Sequence, residues 1–281
     1  MTQYYGNLHL HSTCSDSKLT PQLLVRIGKA LGYRALALTD HETDAGVGEF
    51  MAECKREGLE ALVGAEFYGT VNNAKPHLTA LDYDINDPGI REFISRLCRE
   101  RALATEKSFQ LAVRLGYVRD MTWQDVLDLN PDGAWLCIDS VKNAMRLKKV
   151  VPEGFDWTAF RLDAFNSPEA KSFRPPKPTA EEVIRTVRKA GGVIALAHPV
   201  SLDYLQTLVD YGLNGIEVCH PSITPEMEVL AAQAADTFRL YRCGGTDHTG
   251  AMSGNGGKYA IAAYQGVTEE DFFTLKERRL G

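Results

Sequence analysis

Of the seven histidines in this chain, His9, His11, His41 and His198 each fall in or just after the last positions of a short, apolar, β-forming run. No other feature narrows the fold as far. The runs cover residues 5–10, 35–39, 61–67, 193–197, 215–218 and 239–243, and helix-like segments lie between most of them. Thr20-Pro21 supplies an N-cap followed by proline at the first helical position, and Thr179 with Glu182 gives a capping-box pattern for a helix reaching Ala190. Alternation of this kind builds a β/α body, and in β/α barrels the C-terminal strand ends share one face. Glu66 closes the run LVGA and Asp247 follows the run ending CGG, so six ligand-type residues from distant parts of the chain are expected on one rim.

The alternation stops at about Pro88 and resumes at Thr179. Helical patterns at 89–115, 123–129 and 140–149 predict an α-helical insertion over 88–178, ending in the linker-like KSFRPPKPT, with residues 1–87 and 179–281 forming the β/α body. At 281 residues, 44% apolar and 24% charged, the chain can bury a sizeable core, which excludes disordered, collagen-like and coiled-coil classes. Its longest apolar stretches, such as GGVIALA, fall short of a membrane span, and the N-terminus lacks a signal-peptide pattern. A cytoplasmic location is expected, with the six cysteines reduced; none forms a CxxC pair. A formal charge of −6 argues against long nucleic acid as a partner and leaves a small anionic ligand open.

His9 and His11 are two apart on a strand, so their side chains leave the same face and can bind one cation together. Asp16 follows in HLHSTCSD, and Asp40-His41 ends the next strand. Imidazole and carboxylate ligands without a thiolate set suit Mn, Zn or Fe in a hydrolytic cluster rather than a structural zinc. Glu66 is placed to bridge two such ions, an arrangement that clamps a phosphoryl group and acidifies a water, so phosphoester hydrolysis is the expected chemistry.

In order, HLHSTCSD, LALTDH, GAEF, the isolated His77, IALAHP and GGTDH resemble the PHP (polymerase and histidinol phosphatase) domain phosphoesterases, of the free-standing type with a helical insertion after His77. The resemblance implies a distorted (β/α)7-like barrel, an insertion covering the active site, and two or three divalent ions. It implies a first metal on His9, His11, Glu66 and Asp247, a second on Glu66, His77 and His198, and a third on Asp16, His41 and a histidine near Asp247. It further implies hydrolysis of a small phosphorylated substrate by a metal-bridging hydroxide, with Glu66, His198 and Asp247 carrying catalysis. The family spaces the last pair as DxH, whereas Asp247 and His248 are adjacent here and residue 249 is threonine. Gly244, Gly245 and Gly250 give the segment freedom to aim both side chains inward, so His248 is expected to complete the third site.

Lys18, Lys142, Arg174 and Lys177 are the candidates for binding substrate anions, although the run Lys142, Arg146, Lys148, Lys149 also reads as one solvated helix face. Cys219-His220 ends a strand and could line the pocket; a buried cysteine and a loop histidine account for it as well. Three rivals stand beside the small-metabolite phosphoesterase. They are an exonuclease on short RNA, an amidohydrolase-type C–N hydrolase, which would favour a bridging lysine that is missing at Glu66, and a non-catalytic metal-binding module.

Overall fold

The computed structural model describes residues 4–248 and 265–280; Thr249 and Gly250 lie outside them. Strand β1 (Gly6–Asn7) leads through a loop to helix α1 (Pro21–Ala30), β2 (Ala35–Ala37), α2 (Val47–Glu57), β3 (Glu60–Leu62) and β4 (Gly64–Tyr68). Helix α1 starts where its sequence dictates, because the Thr20 side chain accepts from the Leu23 N–H and Pro21 needs no partner for a missing donor.

Strict alternation then breaks. Residues 77–81, not expected as a strand, form β5 (His77–Leu81), which pairs antiparallel with β4. The connection is tight, with Gly69 N–H donating to the Pro76 carbonyl at 3.0 Å. Reversal of this one strand has a consequence for function: the rim reached by the C-terminal ends of the parallel strands is reached by the N-terminal end of β5, where His77 sits.

Between 88 and 178 the described residues contain helices and no strand: α3 (Pro88–Arg114), α4 (Trp123–Asp128), α5 (Ile138–Leu147), α6 (Trp157–Phe160) running into a π-turn (Arg161–Phe165), and α7 (Pro168–Ser172). This stretch has its own apolar cluster, including Phe109, Val126, Met145 and Phe160. Its boundary at 88 is one of chain order rather than of packing, because Ile90, Phe93, Ile94 and Leu97 on the first half of α3 are buried with the strands and with α8 (Ala180–Lys189).

After α8 come β6 (Val193–Leu196), α9 (Leu205–Asp210), β7 (Gly215–Cys219), α10 (Pro225–Phe238), β8 (Tyr241–Gly244) and α11 (Glu269–Lys276). The sheet order is β1-β2-β3 in one set and β4-β5-β6-β7-β8 in the other. Backbone bonds join the two sets at both edges. Leu8 N–H donates to Gly244 O at 3.0 Å and Asp247 N–H to His9 O at 3.0 Å; Glu66 N–H donates to Asp40 O at 3.0 Å. With β3 and β4 as one nearly continuous strand, the result is the distorted barrel of about seven strands that the resemblance implies.

Candidate metal centre

Strand alternation explains the contents of the barrel mouth. On β7, Ile216 and Val218 pack outward against the helices, so Glu217 between them points inward. The first loop is folded over the mouth by Asp40, whose buried carboxylate accepts from the Ser12 N–H at 2.7 Å, the Ser12 hydroxyl at 2.5 Å and the Ser15 hydroxyl. This Asp40 bolts Asp16 in place rather than serving as a ligand itself.

Glu66 stands at the centre and is almost wholly buried. Its Oε1 lies 2.9 Å from Nδ1 of His77 and 3.2 Å from Nε2 of His198. Its Oε2 lies 2.9 Å from Nδ1 of His41, 3.4 Å from Nε2 of His11 and 3.6 Å from Nε2 of His9. Burial alone would raise its pKa, but His77, His9 and His41 outweigh it and hold the carboxyl well below its ordinary value. The same balance holds Asp247 well down: burial opposes, His9 and the hydrogen bonds from His11 and His220 prevail.

Three sets of donor atoms converge closely enough to share a cation: His9, His11 and Asp247; Glu66, His77 and His198; His11, Asp16 and His41. The donor set fits a divalent metal on an observation of its own. His9 Nε2 and His11 Nε2 face each other at 3.2 Å, and His11 Nδ1, Asp16 Oδ1, His41 Nδ1 and Glu66 Oε2 are buried without a hydrogen bond, although carboxylates and imidazoles stand beside them. Lone pairs gathered in this way await a cation. His11 offers Nε2 to the first set and Nδ1 to the third, and a neutral imidazole has a free lone pair on only one of them.

Eight of the nine expected ligands are therefore brought together. His248 is not in any such set among the described residues; what it lends the rim is backbone, its carbonyl accepting from the His11 N–H at 3.1 Å and its chain bridging to Leu10. Two residues of β7 and the turn after it also stand at the rim. Glu217 meets His9, and His220 lies 3.4 Å from Asp247 with its ring against those of His9 and His198. Two further triplets, His9-Glu217-His220 and His198-His220-Asp247, are as compact as the first three. GIEVCHP did carry the signal: an acid inside an apolar strand and a histidine at its end.

The substrate-binding candidates separate. Lys18 lines a pocket with Asp16, Asp132 and Asp139, at the edge of the third set. Lys142 pairs with Asp139 of its own helix at 3.0 Å and lines none of the described pockets that flank the centre. Arg174 and Lys177 line a second pocket together with Lys75, Arg101 and Lys171. Between that basic pocket and the metal centre stands an aromatic wall, with His41 stacked on Tyr68 and against Trp135. Arg101 lies over the Trp135 ring at 4.5 Å and Lys177 over Tyr68 at 3.9 Å. Trp135 belongs to the 88–178 stretch and is tied to the first loop by its N–H on Cys14 O at 3.0 Å.

Known proteins place this centre. Residues 7–138 match the PHP domain. The chain is 28% identical over 255 residues to a 5'-3' exoribonuclease of Haemophilus influenzae, covering 88% of this chain and 90% of the relative. It is 27% identical over 249 residues to a phosphoribosyl 1,2-cyclic phosphate 1,2-diphosphodiesterase of Eggerthella lenta, covering 87% and 94%. A solved structure from Bifidobacterium adolescentis, assigned as a metal-dependent phosphoesterase, superposes with a TM-score of 0.80 at 26% identity over 99% of this chain and 97% of its own. No described helix is long and apolar enough to cross a membrane. With its ligand motifs in family order and its relatives aligned along most of its length, the chain carries a PHP-domain match over residues 7–138 and is similar along most of its length to phosphoesterases.

Proposed function

We propose that the chain hydrolyses a phosphoester bond in a small phosphorylated metabolite: a sugar phosphate, a nucleoside bisphosphate or a cyclic phosphodiester. The observation that carries this reading is the division of Glu66, one oxygen facing His77 and His198 and the other facing His9, His11 and His41. A carboxylate so divided can serve two cations, and two adjacent cations suit displacement at phosphorus.

His9, His11, Asp247 and Glu66 would hold one ion, and Glu66, His77 and His198 the other, as Mn, Zn or Fe. When bound, such ions supply an acidified water and neutralise charge on the phosphoryl oxygens. A third ion at Asp16 and His41 needs a ligand other than His11, whose free lone pair serves the first. The protein's own part is to present the phosphoester to this centre. Lys75, Arg174 and Lys177 would neutralise a second anionic group, where the substrate carries one, beyond the Tyr68–Trp135 wall; Arg101 is paired with Glu42 at 3.0 Å. The 88–178 stretch, through Trp135, would cover the centre. All six cysteines are free thiols, in keeping with work in the cytoplasm.

A second reading, 5'-3' removal of nucleotides from short RNA, draws on the basic pocket, which could equally receive a backbone phosphate. Phosphate or nucleotide release with Mn2+ from sugar phosphates, nucleoside bisphosphates, cyclic phosphates and short RNA separates the two. We expect a small doubly anionic compound to be turned over with a kcat/KM well above that of an aryl phosphate. Faster shortening of RNA than turnover of any small compound establishes the second reading, and no turnover across the panel overturns both.

A further inference from the structure

Glu217 has no part in the proposed chemistry, yet it is fully buried and both of its oxygens are committed to the centre. Oε1 lies 2.7 Å from Nδ1 of His9, with the Thr79 hydroxyl donating to it at 3.4 Å. Oε2 accepts the backbone N–H of His198 at 2.7 Å. His9 belongs to the first ligand set and His198 to the second.

Each bond answers a distinct need. A neutral imidazole carries one proton, on Nδ1 or on Nε2, and only the unprotonated nitrogen can bind a cation. Nε2 of His9 is the atom that faces His11, Glu66 and Asp247. A carboxylate at Nδ1 demands a proton there and so leaves Nε2 free, the arrangement by which outer carboxylates orient metal-ligating histidines. His198 poses a backbone problem instead. Its φ is +29°, a conformation that side-chain-bearing residues adopt at a cost, and it follows β6 at the point where the ring must turn toward Glu66. A charged acceptor on its N–H holds that turn.

We propose that Glu217 is a positioning residue for both ligand sets at once, Oε1 fixing the proton of His9 on Nδ1 and Oε2 fixing the backbone of His198. This rests on the reading that the two sets hold cations. The competing role, Glu217 as a ligand with His9 and His220, requires an oxygen to leave one of its two bonds.

The test has two arms. Glu217→Gln keeps the shape but replaces one acceptor with a donor. Either the amide faces the His198 N–H, or it donates to His9 Nδ1 and forces the ring proton onto Nε2. Calorimetric titration of the metal-free protein with Mn2+ should give a Kd about 10- to 100-fold weaker than wild type, with an unchanged far-UV circular dichroism spectrum. The second arm needs no variant: nitrogen-15 spectra of the Zn2+-loaded wild-type protein should show His9 protonated on Nδ1 and metal-bound through Nε2. A variant that binds Mn2+ as wild type does, or a His9 proton on Nε2, overturns the proposal. A wild-type chain that takes up no Mn2+ or Zn2+ overturns the reading beneath it, and the proposal with it.

Discussion

Ser222 donates its backbone N–H to Nδ1 of His220 at 3.1 Å, with its hydroxyl 2.8 Å from the same nitrogen. An Nδ1 that accepts leaves the proton of the neutral ring on Nε2, which lies 3.4 Å from Oδ2 of Asp247. Burial pulls the ring's pKa below its ordinary value, in keeping with a neutral imidazole. We expect His220 to support the Asp247 carboxylate rather than to act as a ligand, although two of the compact triplets include it. His220→Ala should retain the full metal content of wild type by elemental analysis while kcat falls about 10-fold or more, the range seen for outer hydrogen-bond partners of a metal centre. Loss of one ion per chain would assign His220 as a ligand instead.

Glu66→Gln tests the centre itself. The amide has one acceptor where the carboxylate has two, so it cannot serve both the His77–His198 side and the His9–His11–His41 side. Bound metal should fall by about one ion per chain and phosphate release by orders of magnitude, with the far-UV spectrum retained. Near wild-type turnover would remove Glu66 from the mechanism.

Legibility in the sequence followed the physics of each residue. His9, His11, His41 and His198 were readable because strand ends of a β/α barrel share a rim and local pattern marks strand ends, whereas Asp16 came with the HLHSTCSD motif and His77 only with the family resemblance. The strand that starts at His77 was not, since a five-residue buried run without clear alternation looks like part of a loop, and its antiparallel pairing is decided by the tight 69–76 connection. Glu217 hid inside an apolar run, where an acid reads as an interruption. His248 was read from its adjacency to Asp247 in sequence, and the chain crosses the rim there with its backbone paired to Leu10 and His11.

The basic pocket gives a selective prediction. Arg174→Ala and Lys177→Ala should each raise KM for a doubly phosphorylated substrate roughly tenfold or more, as expected from losing about 1.5–3 kcal/mol of charged hydrogen bonding, and leave KM for an aryl phosphate nearly unchanged. Lys142→Ala, whose ammonium is spent on Asp139 one helical turn away, should affect neither substrate. Equal effects of Arg174→Ala on both substrates would place it outside the binding site.

Acid should weaken the local contact between α4 and α5. Asp125 receives Lys148 Nζ at 2.6 Å and the Thr122 N–H at 2.7 Å, which lowers its pKa from 3.8 to about 2, Lys148 contributing most. Since the folded value lies below the unfolded one, the stabilisation is present above pH 4 and is lost as pH falls toward 2. Amide exchange measured at pH 4, 3 and 2 should show the α4 and α5 amides losing protection over this range, and Asp125→Asn should remove that part of their pH dependence. Uniform loss across the chain would show that the pair contributes nothing local.

Gly245 sets how closely β8 can approach β1. A Cβ on it would stand 2.4 Å from the backbone nitrogen of His9 and 2.6 Å from Oδ1 of Asn7, the side chain that also binds the Thr246 N–H at 3.1 Å and Thr246 Oγ1 at 2.9 Å. These obstacles are backbone and a hydrogen-bonded amide, not the free end of a flexible side chain, so the strand carrying His9 and His11 must move. Gly245→Ala should cost about 1–3 kcal/mol or more, as overpacking does, and weaken Mn2+ binding because both histidines ride on the displaced segment. Gly48 in α2 is the matched control: a Cβ there meets nothing within 4 Å, and Gly48→Ala should stabilise by about 0.5–1 kcal/mol through helix propensity. Thermal melting of the metal-free variants reads both effects, and a Gly245→Ala protein with the Tm and Mn2+ affinity of wild type would show that the β8–β1 contact does not hold the metal centre in register.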